Sequence, residues 1–577
     1  MKGKEKGKSG AITDNQTCRR IAADMQTYVA VGLMVACLTW SASRVRAGEV
    51  RSVNIVGFVK SGDEIVTGLV VEDPDSQSGS LDTTGQGEVV HHIVPMQDRT
   101  LTSAEFRYTT DTAGKATING CDRDCSGALC IPNTLGGCPV VSISGFGPCT
   151  KLIGVTIPDG VTSIGNPFSP GAFSDCTRLE KIFVDDKNLA FSGSADGVLF
   201  NKDKTRLVCY PAGKAGSYAI PTNVTSVGSS AFSGCSRLTN VTIPRSVTNI
   251  GWYAFSPCAA LTAITVDEAN PNYGDVDGVL VSKNHTVLIK YPEGRDRNYT
   301  PPSGVTSFSI GAFRNCTRLT GVTMSGNITN IGRDAFSGCT RLERIVVDDK
   351  NLAFSSSADG VLFNKDKTTL VCYPLGKAGS CAIPGNVTKI GERAFSGCTR
   401  LEKIVVADRN LTFSSSADGV LFNKDKTRII LYPRGKAGSY VIPMNMTSIG
   451  SGTFSGCTRL TGVTIHARVS VIGNSAFADC TGLTSVTIPG SVTRIGMGAF
   501  SGCKGLTGVY FKGNAPHGSS TDDSILLGCR KAIVYYLPGT TGWGKKFSGR
   551  PTAPWKLDAP DKAQPTAGGD GKPAPQQ

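Results

Sequence analysis

Leu460-Thr-Gly-Val-Thr-Ile465, then Val469-Ser-Val-Ile-Gly473, then Ser475-Ala-Phe-Ala-Asp-Cys480 form one unit of this chain. Leu483-Thr-Ser-Val-Thr-Ile-Pro489 opens the next, which continues through Ile495-Gly496 and Ala499-Phe500 to Cys503. Each landmark returns after 23 residues. Leu-x-x-Val-x-Ile alternates apolar and polar residues, the pattern of a strand with one buried face. Proline has no amide proton for a ladder, so Pro489 ends the strand. Ile495 points inward again beside a glycine turn, and Ala499 and Phe500 supply a small and a large core residue. One buried Phe or Ile is worth roughly 1.5–3 kcal/mol. That cannot offset backbone ordering of about 1–2 kcal/mol per residue in an isolated unit. Stacked units share their apolar faces, so the period predicts a solenoid.

The closing cysteine recurs at Cys149, Cys176, Cys235, Cys258, Cys316, Cys339, Cys398, Cys457, Cys480 and Cys503, with steps of 23 or of 58 and 59 after Cys176. The long steps contain an extra segment. Asp359-Gly-Val-Leu-Phe363, the polar Asn364-Lys-Asp-Lys-Thr368 and Leu370-Val-Cys-Tyr-Pro374 read as two strands around a turn. The pattern also fills 196–211, 277–292 and 418–433. The expected fold is a leucine-rich-repeat-like solenoid. It would have a parallel β-sheet on its concave face, short turns or helical segments on its convex face and four inserted β-hairpins.

These motifs (Leu-x-x-Val-x-Ile-Pro, Ile-Gly-x-x-Ala-Phe and the closing Cys) resemble the BspA-type leucine-rich repeat family across about residues 128–511. The segment Val534-Tyr-Tyr-Leu-Pro-Gly-Thr-Thr-Gly-Trp-Gly544 is similar to that family's ending. The resemblance implies a curved right-handed solenoid at the cell surface, with members acting as adhesins, and no activity or cofactor.

The flanks divide the rest. Lys2, Lys4, Lys6, Lys8, Arg19 and Arg20 precede an apolar run from Tyr28 to Trp40. Residues 1–47 read as a signal peptide cleaved after Ala47, which places the protein outside the cell or on its surface. A lipoprotein acylated at Cys37 and an uncleaved anchor stay open as alternatives. Residues 48–105 form a non-repeat β-rich segment, 106–149 an N-terminal cap, 150–511 the solenoid and 512–555 a C-terminal cap. The tail 556–577 is too poor in apolar residues to fold. No span is expected after signal removal.

The net charge is +14, but residues 1–47 carry eight Lys/Arg against three Asp/Glu, leaving about +9. No basic cluster alternates with aromatics, which argues against nucleic acid. No Gly-x-Ser-x-Gly elbow, P-loop or dinucleotide fingerprint sits in a suitable setting, so no catalytic residue and no cofactor is expected. His91-His92 reads as polar surface. The recurrent acidic pairs, such as Asp185-Asp186 and Asp348-Asp349, read as turn caps rather than calcium ligands. The ladder cysteines read as buried filler. Cys121, Cys125, Cys130 and Cys138 crowd into eighteen positions. They read as disulfides or free thiols, with zinc the less favoured choice.

Binding is expected at the third and fifth strand positions, which point outward. These are Asn240 and Thr242, Thr323, Thr464 and Thr487, and, where a long unit begins, Lys181 and Phe183, Arg344 and Val346, Lys403 and Val405. The expected function is non-enzymatic adhesion to host or neighbouring-cell proteins, of matrix or surface. The alternatives are a structural or antigenic surface protein without a ligand, or a carbohydrate-acting protein with its site in 48–105.

Overall fold

The computed structural model describes residues 59–61, 64–66, 106–121, 125–146, 149–165, 171–295, 298–516 and 524–556. The expected signal peptide, His91-His92, most of 48–105 and nearly all of the tail lie outside them. The chain divides into two units, Met1–Thr100 and Leu101–Gln577. The first contributes an antiparallel pair, Val59–Ser61 with Glu64–Val66.

The second unit is a β-solenoid. In a 23-residue coil the main strand Leu238–Ile243 is followed by a turn, where the Val247 amide donates to Pro244 O, and by the two-residue strand Asn249–Ile250. Main strands pair in parallel, Val241 beside Ile264, and so do the short strands, Val227 beside Ile250. A third ladder runs through the Ala-Phe turns, where the Phe232 amide donates to Ala254 O at 2.8 Å and that of Phe477 to Ala499 O at 2.7 Å. The phenyl rings stack: Phe232 on Phe255 at 5.1 Å, Phe454 on Phe477 at 4.9 Å and Phe477 on Phe500 at 5.2 Å between centroids.

No helix occurs among the described residues, which corrects the expected helical segments. The cause is local. In most coils the residue before Ala-Phe is left-handed (Ser230, Tyr253, Asp334 and Ser475, φ 51° to 59°), and in most so is the residue before the closing cysteine (Gly234, Gly338 and Gly502). Two left-handed residues within six stop a right-handed helix from propagating.

The long units also differ from a projecting two-stranded hairpin. Phe191–Gly193, Leu199–Asn201 and Arg206–Cys209 form three antiparallel strands, and the third then pairs in parallel with Ser226–Val227. Val198, Leu199, Phe200 and Leu207 are all buried. A segment apolar on both faces must be covered on both, so it becomes a coil of the stack rather than an outgrowth. Its terminal tyrosine takes the place of the missing phenylalanine. Tyr210 packs 5.2 Å from Phe232, Tyr291 5.5 Å from Phe313, and Tyr432 4.9 Å from Phe454.

Each long unit interrupts the main sheet. Beside Lys181–Val184 lies a turn instead of a strand, and the Ile182 amide donates to Gly197 O at 2.9 Å. Gly197 has φ +84°, and a Cβ there would come within 2.7 Å of Lys181 Cα. Gly278, Gly360 and Gly419 crowd Ala263, Arg344 and Lys403 in the same way. Glycine at this position is therefore a steric requirement.

Four buried asparagines, Asn188, Asn270, Asn351 and Asn410, clamp the long units to the coil before them. Asn351 Nδ2 donates to Ser325 O and Ile328 O, both at 2.8 Å, while its Oδ1 accepts from the amides of Ala353 and Phe354. The preceding aspartates cap the same turns. Asp185 Oδ1 accepts from the Lys187 amide, and Asp348 Oδ1 from the Lys350 amide.

Candidate binding face

The alternation that buries Leu, Val and Ile of each main strand turns the third and fifth residues outward. The parallel register sets them in two rows. In one row Asn240 lies beside Ala263, and in the other Thr242 lies beside Thr265, with their hydroxyls 3.1 Å apart. Thr323 is beside Val346, Val405 beside Ala382, Thr464 beside Val441, and Thr487 beside Tyr510. Phe183 is beside Thr156, Lys181 beside Gly154, Arg344 beside Gly321 and Lys403 beside Ser380. Thr242, Thr323, Arg344, Val346, Lys403, Val405 and Thr464 are exposed, whereas Lys181, Phe183, Asn240 and Thr487 are half-buried. The rows are not continuous. The glycine turns over Lys181, Arg344 and Lys403 divide the face into short sheets. Asn240 Oδ1 is buried without a hydrogen-bond partner.

An aromatic stretch of this face was not among the expected residues. Parallel pairing continues past Gly508–Phe511 to Ile533–Tyr536 and Arg550–Pro554. Here Tyr510 stacks on Tyr535 at 4.9 Å and lies 5.1 Å from Trp555. Ile533, in the third position, is exposed beside them. The same rule, applied one strand further to Leu506-x-x-Val509-x-Phe511, places Tyr510 at the fifth position. Val441, 64% exposed, adds a second apolar point opposite Thr464.

The other faces differ in chemistry. The turn side carries Trp252, Ile310 and Met497 singly, and an ionic cluster in which Asp334 meets Arg393 at 2.7 Å, Arg314 at 3.7 Å and the Tyr253 hydroxyl at 3.3 Å. One carboxylate there serves two guanidinium groups.

The ladder cysteines are buried, and their role goes beyond filling space. The thiol of Cys258 donates to Phe232 O, that of Cys480 to Phe454 O and that of Cys503 to Phe477 O, each at 3.0 Å. Burial pushes the thiols of Cys176, Cys398 and Cys457 up to about 12. Cys149 departs from the ladder role expected of it, being disulfide-bonded to Cys121. Of the four cap cysteines, Cys121 and Cys125 converge with Cys149, whereas Cys130 faces Thr156 and Cys138 lies at a turn near Gly136 O. That trio is the one convergent set of potential metal ligands among the described residues. No helix there is long and apolar enough to cross a membrane.

The repeat geometry agrees with a comparison of sequences. A model of the BspA type leucine rich repeat region matches six copies, over residues 136–195, 209–275, 297–359, 372–423 and 432–530, more than half of the chain. The chain belongs to the BspA-type leucine-rich repeat family. Curated proteins give no match. Among solved structures, this BspA-type chain is similar to a leucine-rich repeat protein from Eubacterium ventriosum, with 22% identity over 69% of this chain and 93% of that one and a TM-score of 0.30. A leucine rich cell surface protein from Faecalibacterium prausnitzii shares 23% over 74% and 98%, with a TM-score of 0.26. A leucine-rich repeat protein from Bacteroides ovatus shares 23% over 80% and 100%, with a TM-score of 0.23.

Proposed function

We propose that this protein is an exported, non-enzymatic surface protein that binds a protein partner through the outward face of its main sheet. The partner class is a matrix or surface protein of a host or neighbouring cell. The observation that carries this reading is the outward cluster of Tyr510, Tyr535, Ile533 and Trp555, which continues the Thr-rich rows into an aromatic end. Aromatic side chains beside polar ones are the composition of binding hot spots, because they bury much area at small entropic cost. Membership of the BspA-type family supports a surface role, and the basic, then apolar, N-terminus supports export. The rows Thr242–Thr265 and Thr323–Val346 would serve as the polar margin, with Arg344 and Lys403 as cationic points at the interruptions.

The test is saturable binding of the full chain to immobilised matrix proteins, set against a chain lacking residues 48–105. Binding kept by the deleted chain supports the solenoid as binder. Binding lost on deletion and kept by 48–105 alone overturns it.

A further inference from the structure

Each long unit ends in Tyr-Pro-x-Gly rather than in an Ala-Phe turn, so the turns before and after it face each other across a gap on the turn side. Three of the four units fill that gap. In the first, the two backbones touch: a Cβ on Gly234 would lie 1.9 Å from Ser174 O. In the second, the Arg314 guanidinium sits 4.9 Å from the centre of the Tyr253 ring and Asn315 Nδ2 donates to Ser256 Oγ at 3.0 Å. In the fourth, Arg434 lies against the later turn, where a Cβ on Gly456 would be 3.4 Å from its Nε. The third unit has Ser396, Gly397 and Leu375 where the second has Arg314 and Asn315 and the fourth has Arg434. Small residues and one leucine leave a cavity of about 210 Å³.

The cavity is amphipathic. Phe336, Leu362 and Leu375 line it as buried apolar residues and Val371 as a half-buried one. Its rim is charged. Arg393 Nη1 lies 2.7 Å from Asp334 Oδ1, and Arg333 Nη2 lies 3.2 Å from Glu392 Oε1. Asp334 also holds Arg314 at 3.7 Å. Three guanidinium groups against two carboxylates leave one excess positive charge beside an apolar wall.

We propose that this cavity binds a short-chain monocarboxylate, with the carboxylate at Arg333 and Arg393 and the alkyl chain on Phe336, Leu362, Val371 and Leu375. Charge and shape decide the class. A singly charged head balances the excess, whereas a doubly charged phosphate overshoots it. Guanidinium presents a planar fork that fits a carboxylate. Glu392 is 77% exposed, and a surface ion pair of that kind contributes little, so the incoming carboxylate can replace it on Arg333. The apolar wall favours an alkyl chain over water. Sites for drug-sized ligands run to roughly 300–1,000 Å³, so this smaller cavity takes a short chain.

The test is calorimetric titration of the full chain with hexanoate as the probe. Wild type should bind one equivalent saturably, and acetate and 1-hexanol should each bind at least tenfold more weakly. Leu375→Arg puts into the third unit the residue that the fourth already carries, and should abolish binding with little change in the unfolding midpoint. Should that variant fail to fold, Ser396→Arg, which copies Arg314 of the second unit, fills the gap from the opposite turn. Arg333→Gln should weaken binding several-fold and leave the cavity in place. No saturable binding to wild type, equal binding by wild type and a folded filled variant, or displacement of hexanoate by inorganic phosphate at equal concentration overturns the proposal.

Discussion

The second long unit carries a buried ion pair where the first and third carry apolar or small residues, and the repeat itself supplies the replacement to test. Lys290 Nζ lies 3.0 Å from Glu293 Oε1, with side chains 7% and 1% exposed. Nζ also donates to Arg314 O at 2.9 Å, and Glu293 Oε2 accepts from the Cys258 amide at 2.5 Å. The equivalent residues are Cys209 and Ala212 in the first long unit and Cys372 and Leu375 in the third. Removing one partner strands a buried charge, so Lys290→Cys and Glu293→Leu should each cost about 3–5 kcal/mol. Removing both leaves no charge and conserves most of the volume, with the Cys258 amide unpaired at about 1–3 kcal/mol. The singles therefore sum to about 6–10 kcal/mol and the double to about 1–3 kcal/mol, a coupling of about 5 kcal/mol. The assay is urea denaturation with the slope checked for each variant, together with hydrogen exchange in peptides spanning 255–261 and 288–296. Exchange localises the loss, because a repeat array need not unfold in one step. Additive single and double effects would refute this reasoning. They would mean that the pair is hydrated and that the two side chains act separately.

Other consequences follow from the same geometry. Gly360→Ala sets a Cβ 2.3 Å from that of Arg344 at φ +83°, whereas Gly379→Ala meets nothing within 4 Å at the same φ. Thermal unfolding should show about 1–2 kcal/mol of left-handed strain at Gly379 and a clearly larger loss at Gly360. Asn351→Ala removes four hydrogen bonds at a buried clamp. It should cost more than about 3 kcal/mol and speed hydrogen exchange in both coils that it joins, while Asn327→Ala, exposed with one bond, should cost under about 1 kcal/mol. Burial raises the Cys398 and Cys457 thiols from 9.0 to about 12. The unfolded chain releases these protons first, so the contribution to stability is complete below pH 9.0 and is lost as pH climbs to about 12. Urea midpoints measured across that window should fall, and native protein at pH 8 should leave both thiols unalkylated.

Much of this fold is legible in the sequence because the unit recurs. Leu, Val and Ile at fixed offsets fix the inward face, and the outward rows follow by alternation. What escaped the reading has local causes. Phe191-Ser-Gly193 is too short and polar to announce a strand, yet it pairs because Asn188 holds the turn before it. Val-Leu-Phe looks like half a hairpin until burial on both faces makes it a coil. The Cys121–Cys149 link joins residues 28 apart across a coil boundary, which spacing alone does not reveal. Tyr510 lies in the expected solenoid but is not among its named outward residues, because its neighbours Tyr535 and Trp555 fall in the segment read as a cap, although the main sheet continues through it.

The most direct test of the central claim is quantitative binding of full-length protein to a matrix protein it recognises, with wild type set beside a sheet-face and a turn-face variant. The sheet-face variant is Tyr510→Ser with Tyr535→Ser, and the turn-face variant is Trp252→Ser with Met497→Ser. The account predicts at least a tenfold loss of affinity for the first, unchanged affinity for the second and unaltered unfolding midpoints in both. Wild-type affinity in the sheet-face variant, with loss in the turn-face variant, would contradict it.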